Sequence, residues 1–398
     1  LISKIQFLKR NLINQQMEKT FDKKCLLITT DFPPDFGGVA NYWANLSTEI
    51  AQKVGESNYF VLAPENEKSD LFDVQQNYII FRKKLLGGFW PKWRPIIFHA
   101  LKIIKQKKIN HVFVTQILPV GTIALILMVF CKITYSVSVH GLDLAWTQKS
   151  TRKKFLTKLI LKYASQIIVN SKFTLEKIKN IDFNLLTKAV IIYPCPNYQQ
   201  TENINCQEFL QKNEWQNKKI ILSVGRLVER KGFDLMIKAM PKVLAEVPDA
   251  IYLIYGKGQD ENRLRDLINK NSLQDKVFLI TDENKEVISN YFANCQIFVM
   301  PCRELKNGDV EGFGIVYLEA NLFGKPTIAG NSGGASEAVI DGQTGLVISP
   351  NDENALAEKV IFLLQNADLA KKMGEAGRQR VLQEFTWGGQ AEKIRKSL

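Results

Sequence analysis

The chain has 398 residues, 45% of them apolar and 23% charged, with six cysteines and three histidines. That balance belongs to a folded globular protein of about two domains and excludes a disordered or fibrous chain. The cysteines, at positions 25, 131, 195, 206, 295 and 302, form no C-x-x-C pair and no regular spacing with the histidines. Neither a disulfide scaffold nor a zinc module is indicated, and a reducing compartment fits best.

The formal charge of +13 is unevenly divided: residues 1–200 hold 28 Lys+Arg against 13 Asp+Glu, residues 201–398 hold 25 against 27. A basic first half and a neutral second half imply different partners, the first half meeting an anionic surface such as phospholipid head groups or nucleic acid. A solubilising excess of lysine is the alternative reading.

In chain order, residues 1–24 are polar and basic, with no apolar run ahead of a small-residue cleavage site, so no secretory signal is read and a cytoplasmic protein is expected. They are expected to form an N-terminal extension, with residues 1–16 lying upstream of Met17. Short β-branched runs then alternate with longer amphipathic stretches, the pattern of βα units around a parallel sheet. Strands are expected at Cys25–Thr30, Tyr59–Leu62, His111–Thr115, Tyr135–Val139 and Gln166–Asn170. The longest apolar run, Ile117 to Cys131, is broken by Pro119, Gly121 and Thr122 and falls short of the roughly 20 residues a bilayer requires; it reads as a buried helix entered at Pro119.

Tyr193–Lys218, with two prolines and no clean periodicity, reads as a linker. A second strand series is expected at Lys219–Val224, Ile251–Tyr255, Val277–Ile280, Ile297–Met300, Pro326–Ala329 and Gly345–Ile348, followed by helices at Asp352–Leu364, capped by Asn351 or Asp352, and at about Ala367–Glu384. The expected fold is α/β, two doubly wound Rossmann-like domains facing a central cleft, with the first domain over 25–197 and the second over 198–384. Residues 385–398 are expected to cross back to the first domain as a helix. Ligands of such domains bind beyond the carboxyl ends of the strands.

Four segments carry chemistry. Glu311-Gly-Phe-Gly-Ile-Val-Tyr-Leu-Glu319 leads into a helix; Gly312 and Gly314 permit close backbone approach, and the free N–H groups of a helix start favour an anion such as diphosphate. If the intervening residues are largely helical, the two glutamates stand about 12 Å apart, far enough to grip one sugar ring each through hydroxyl hydrogen bonds. The alternative is a helix start in which Glu311 complements the dipole and Glu319 lies on a solvated face. Ser223-Val-Gly-Arg-Leu-Val-Glu-Arg-Lys-Gly232 places Arg226 at a strand end and Lys231 five residues on, able to converge on one phosphate unless they are merely a solvated basic turn. Asp31-Phe-Pro-Pro-Asp-Phe-Gly-Gly-Val39 joins the first strand to a helix, where Gly37 and Gly38 offer bare backbone to a phosphate. Val137-Ser-Val-His-Gly-Leu-Asp143 sets His140 at a strand end, whereas His99 and His111 read as structural.

Together these segments, with Ile328-Ala-Gly-Asn-Ser-Gly-Gly334, resemble the retaining glycosyltransferases of family 4, which have the GT-B fold, over most of residues 25–390. The resemblance is closest to the bacterial GDP-mannose-dependent phosphatidylinositol-mannoside mannosyltransferases. It implies transfer of a hexose, mannose favoured, from a nucleotide-diphosphate sugar to a lipid-linked or polysaccharide acceptor. Arg226 and Lys231 would bind the donor diphosphate, Glu319 the ribose and Glu311 the transferred hexose. Backbone amides of Gly38, Gly312, Phe313, Gly314 and Ile315 would complete the phosphate cradle, with His140 beside the hexose. Such enzymes are thought to act without a carboxylate nucleophile, and the chain has no Asp-x-Asp triplet, so neither a metal nor another cofactor is expected. The donor is expected to be GDP-mannose, with a UDP-sugar as the other choice, because Leu279-Ile-Thr-Asp-Glu-Asn-Lys285 departs from the pattern where relatives meet the base. The +15 balance of the first half suggests a membrane-borne acceptor and peripheral association with an anionic membrane.

Two rival readings are weaker. Gly256-Lys-Gly258 follows a strand and opens a helix, but a G-x-G without its third glycine is slight support for a nicotinamide-dependent oxidoreductase. A nucleic-acid-binding protein has only the charge in its favour.

Overall fold

The computed structural model describes residues 23–34, 37–147, 150–197, 206–281 and 285–397. Two parallel sheets organise it. The first comprises β1 (Cys25–Ile28), β2 (Tyr59–Pro64), β3 (Ile79–Lys83), β4 (His111–Val114), β5 (Thr134–Val139), β6 (Gln166–Val169) and β7 (Ala189–Ile191), in the order β3-β2-β1-β4-β5-β6-β7. The second comprises β8 (Lys219–Val224), β9 (Ala250–Tyr255), β10 (Val277–Ile280), β11 (Ile297–Met300), β12 (Thr327–Gly330) and β13 (Gly345–Ile348), in the order β10-β9-β8-β11-β12-β13. In each sheet the strand order reverses next to the first strand, at β1/β4 and at β8/β11, which opens a crevice at the carboxyl ends of those strands.

Central strands such as β1, β4, β6 and β11 are buried along their whole length, which explains why they read as continuous apolar runs. The two strands absent from the sequence reading, β3 and β7, are the edges of the first sheet and are nowhere fully buried. An edge strand carries mixed residues because one side meets solvent. The helix Gly38–Val54 covers one face of this sheet; helices Arg94–Lys107, Thr122–Cys131 and Thr151–Tyr163 pack side by side on the other.

Two expectations change and one choice is decided. Ile117–Gly121 forms a separate wide turn ahead of the helix Thr122–Cys131, whose end exposes Val129 and Phe130, so the apolar run is only partly buried. Tyr193–Lys218 is not all linker: the helix Cys206–Lys212 lies within it, and Phe209 and Trp215 are buried in the second lobe against Tyr291 and Phe278. Of the two suggested caps for the helix Glu353–Gln365, Asp352 serves, its Oδ1 accepting from the Ala355 N–H at 2.9 Å.

The last helix, Trp387–Ser397, packs on the helix Gly38–Val54 and buries Ala391 and Ile394 among first-lobe residues including Leu46, Ile50 and Ile192. No helix among the described residues is long and apolar enough to cross a membrane.

Candidate active site

β8 ends at Val224, and the chain turns through Gly225 and a single 3₁₀ turn, Glu229–Lys231, into the helix Phe233–Glu246. Gly232, with φ of 75°, makes that reversal against the Pro301 carbonyl, and a side chain there would overlap it. The tight turn sends the side chains of Arg230 and Lys231 inward, both buried. They meet Glu311: its Oε2 lies 2.6 Å from Lys231 Nζ and 2.6 Å from Arg230 NH1, while Arg230 Nε lies 3.1 Å from Asp309 Oδ1. Oε1 of Glu311 takes no part in either ion pair and remains able to accept from a hydroxyl.

Burial alone would raise the Glu311 carboxyl, but Lys231 and Arg230 overcome it and hold the group at about 2. It is a carboxylate at every physiological pH. Glu319 lies eight residues further on, within the helix Ile315–Leu322, and behaves oppositely: burial pushes it up to about 7, with Lys231 only partly opposing. The segment between the two glutamates is not largely helical, as the spacing suggested. Gly314 takes φ of 88° and the helix begins only at Ile315, so Gly312 to Gly314 form a loop leading into the helix start, with Phe313 and Gly314 buried. Phe313 contributes only its backbone, because its ring is buried against Tyr193 at 5.1 Å and Phe385 at 5.9 Å.

This loop faces the first lobe. A Cβ on Gly312 would stand 3.0 Å from the carbonyl oxygen of His140 and 3.0 Å from Asn170 Nδ2, so the ends of β5 and β6 abut the Gly312–Gly314 loop directly. The imidazole of His140 is turned into its own lobe, Nε2 bonding Ser138 Oγ at 2.9 Å and the ring standing edge-on to Tyr42 at 5.3 Å. Desolvation lowers it to about 4, so it is neutral at pH 7. What His140 presents to the second lobe is its carbonyl. Asp143 steadies that turn, its Oδ1 accepting from the backbone N–H groups of His140 at 3.2 Å and Leu144 at 3.1 Å; burial raises this carboxyl to about 6. His111 is structural, bonding Thr134 and Ser136 through its two ring nitrogens.

Gly38 opens the 17-residue helix Gly38–Val54 with no atom crowding its Cβ position, leaving that helix start accessible. Asp35 and Phe36 of the same motif, and Asp282 to Asn284 of the segment expected near the base, lie outside the described residues.

Lys231, Glu311 and the Gly312–Ile315 backbone are thus brought together opposite His140. Arg226 is exposed, and the second cation on Glu311 is Arg230, which the sequence reading passed over. The only signal for it was its place beside Lys231; which of three basic residues in a ten-residue turn points inward depends on the 3₁₀ geometry. The Gly256-Lys-Gly258 signal has a packing explanation: a Cβ at Gly256 would overlap the Gly225 carbonyl and one at Gly258 the Leu227 carbonyl.

Residues 206–380 match the family described as "Glycosyl transferases group 1", and residues 36–197 match "Glycosyltransferase Family 4". Among curated relatives, the chain is 33% identical to a GDP-mannose-dependent monoacylated alpha-(1-6)-phosphatidylinositol monomannoside mannosyltransferase of Corynebacterium glutamicum, covering 94% of this chain and 97% of the relative. A GDP-mannose-dependent alpha-(1-6)-phosphatidylinositol monomannoside mannosyltransferase of Mycolicibacterium smegmatis is 27% identical over the same shares. Among solved structures, a glycosyltransferase of Rickettsia africae superposes with a TM-score of 0.79 at 20% identity, covering 94% of this chain and 98% of the other, which shows a shared fold. Two Rossmann-like lobes, each built on a parallel sheet, are the GT-B arrangement, and the chain belongs to the group 1, family 4 glycosyltransferases.

Proposed function

We propose that the chain transfers mannose from GDP-mannose to a lipid-borne acceptor, with retention of anomeric configuration and without a metal ion. The observation that carries this reading is the convergence of Lys231, Arg230 and Glu311 on the start of the helix Ile315–Leu322, opposite His140. The donor identity draws support from the relatives, whose names specify GDP-mannose.

In the proposed reaction, the anomeric carbon–oxygen bond to the diphosphate breaks and a bond to the acceptor oxygen forms on the same face. The acceptor proton passes to the departing phosphate oxygen, and the products are the mannosylated acceptor and GDP. Glu311 is poorly suited to act as base, being held at about 2 and shared between two cations. Its free Oε1 suits it to a hexose hydroxyl, and Glu319 to the ribose. Lys231 and the backbone N–H groups of Gly312 to Ile315 stabilise the leaving charge, with Arg226 adding a guanidinium from the exposed rim. The neutral His140 positions the hexose through its carbonyl.

An anionic membrane surface is the proposed partner of the first lobe. Residues 74–175 hold 17 Lys+Arg and a single carboxylate side chain, Asp143, which is bonded inward to backbone N–H groups. The loop before the helix Arg94–Lys107 exposes Phe89 by 81% and Trp90 by 88%, and Phe98 and Phe155 stand exposed among lysines on the helices behind. Aromatic side chains among cations suit the head-group boundary.

A thermal-shift panel of GDP, UDP and ADP tests the donor, since a ligand stabilises in proportion to the logarithm of its occupancy ratio. GDP is expected to raise the melting temperature most; a larger rise with UDP would overturn the GDP-mannose reading.

A further inference from the structure

Glu337 lies outside the donor cradle, in the short helix Ala335–Ala338, yet its carboxylate crosses to the first lobe. Oε2 accepts from the Lys172 backbone N–H and Oε1 from the Phe173 backbone N–H, each at 2.7 Å. These are the first two N–H groups of the helix Lys172–Lys179, which follows β6; the third, of Thr174, is taken by Ser171 Oγ at 3.0 Å. A first-lobe helix is therefore capped jointly by its own serine and by a second-lobe carboxylate, with the helix dipole favouring the negative charge. Tyr193, just beyond β7 where the chain leaves the first lobe, adds its hydroxyl to Oε2 at 3.2 Å.

Both sides of this contact are rigidly tied to the candidate site. On the second-lobe side, Arg380 donates to the carbonyls of Glu337 at 3.0 Å and Ala338 at 2.8 Å, and the preceding Gly334 N–H bonds the Glu311 carbonyl at 2.9 Å. On the first-lobe side, the capped helix begins two residues after Asn170, whose Oδ1 accepts from Thr174 Oγ1 at 2.8 Å and whose Nδ2 faces Gly312. The contact thus lies one short step from where the His140 carbonyl meets the donor loop.

We infer that Glu337 is the interlobe latch, a positioning residue that sets the separation of the His140 strand end from the Glu311–Gly312 loop. This rests on reading the cleft as the transfer site, although the latch itself has a structural readout that does not. Two charge-assisted hydrogen bonds, each among the stronger kinds in proteins, hold the lobes in register, while Arg226, Lys231 and the Gly312–Ile315 backbone of the proposed cradle all lie in the second lobe. Loss of the latch therefore leaves nucleotide affinity intact and impairs the step that needs both lobes.

The test pairs variants from the two sides. Glu337→Ala removes both acceptors. Lys172→Pro removes one donor from the other side; proline is tolerated at a first helical position, and Ser171 before it is already extended, with φ of −164°. Small-angle X-ray scattering of the full chain, with and without GDP, is expected to show a larger radius of gyration for Glu337→Ala than for the wild type. GDP affinity should stay within about twofold, while mannosyl transfer from GDP-mannose falls about tenfold to a hundredfold in kcat, the range expected when one or two such bonds are lost. Lys172→Pro should give a smaller loss, and combining it with Glu337→Ala should add almost nothing, because the partner is already gone. Unchanged scattering profiles in Glu337→Ala would overturn the latch whether or not the protein transfers mannose. A parallel loss of GDP affinity and of thermal stability would overturn it too, by showing that Glu337 supports only the second lobe's fold. If the wild type neither binds GDP nor turns over GDP-mannose but the scattering change appears, the functional reading fails while the latch stands.

Discussion

Lys231 Nζ stands 2.6 Å from Glu311 Oε2, and Arg230 NH1 meets the same oxygen at the same distance, so one carboxylate oxygen neutralises two buried cations. Removing that carboxylate leaves both cations without it, and breaking a buried pair by deleting one partner costs about 3–5 kcal/mol. Glu311→Ala should therefore lose stability as well as transfer, visible as a lower urea midpoint. Lys231→Ala leaves Arg230 on Glu311 and should fold more stably than Glu311→Ala while losing transfer by at least about a hundredfold, as expected for loss of a donor to the leaving charge. Ordinary turnover in Lys231→Ala would contradict the proposed role.

The two arginines of the same turn should separate cleanly. Arg226 is exposed, so Arg226→Ala is expected to leave the melting temperature nearly unchanged, its effect confined to donor affinity and transfer. Arg230 is buried between Glu311 and Asp309, so Arg230→Ala should lower it by several degrees. Differential scanning calorimetry of the two variants side by side makes the comparison.

Protonation should act on the two glutamates in opposite directions. Glu311 is depressed to about 2, so its stabilising contribution is present above its ordinary value of 4.5 and is lost as pH falls towards 2. Glu319 is raised to about 7, so its contribution is fully present below 4.5 and is lost as pH rises through 7. Glu319→Gln should thus melt progressively higher relative to the wild type between pH 5 and pH 8, whereas Glu311→Gln should flatten the loss of stability on acidification from pH 4.5. Parallel melting curves for Glu319→Gln and the wild type across pH 5 to 8 would refute the raised carboxyl.

Gly312 sits where the lobes touch, and a methyl group there would press on the His140 carbonyl and Asn170 at 3.0 Å each. Its backbone is not in the left-handed region, so Gly312→Ala carries no conformational penalty. The expected outcome is a folded protein with a kcat reduced about tenfold and a nearly unchanged GDP affinity, read by steady-state kinetics and calorimetric titration; a near-attack geometry tolerates little displacement.

Membrane attachment should follow the exposed aromatic loop. The double variant Phe89→Ser, Trp90→Ser should lose flotation with vesicles containing anionic phospholipid while retaining the wild-type melting temperature, since both side chains are exposed. Neutral vesicles should capture neither protein, and salt should weaken capture of the wild type. Equal flotation of variant and wild type would remove this surface as the attachment site.

The two-sheet plan is legible along the chain, because buried parallel strands are continuous apolar runs and the order of strands and helices follows from local periodicity. Every strand of the second sheet was legible in this way, as was the helix Ala367–Glu384. The edge strands Ile79–Lys83 and Ala189–Ile191 were not, because half-exposed strands carry no run to detect. Lys231, Glu311, Glu319 and His140 were singled out by their places at strand ends and helix starts. Their partners emerge only in the folded chain: Lys231 pairs with Glu311 beside Arg230 while Arg226 stays exposed, His140 offers its carbonyl rather than its ring, and Glu337 caps a helix 164 residues away in sequence. Local pattern reports what a residue does to its own helix or strand. A contact between two lobes is set by how each turn aims its side chains, and no periodicity carries that information.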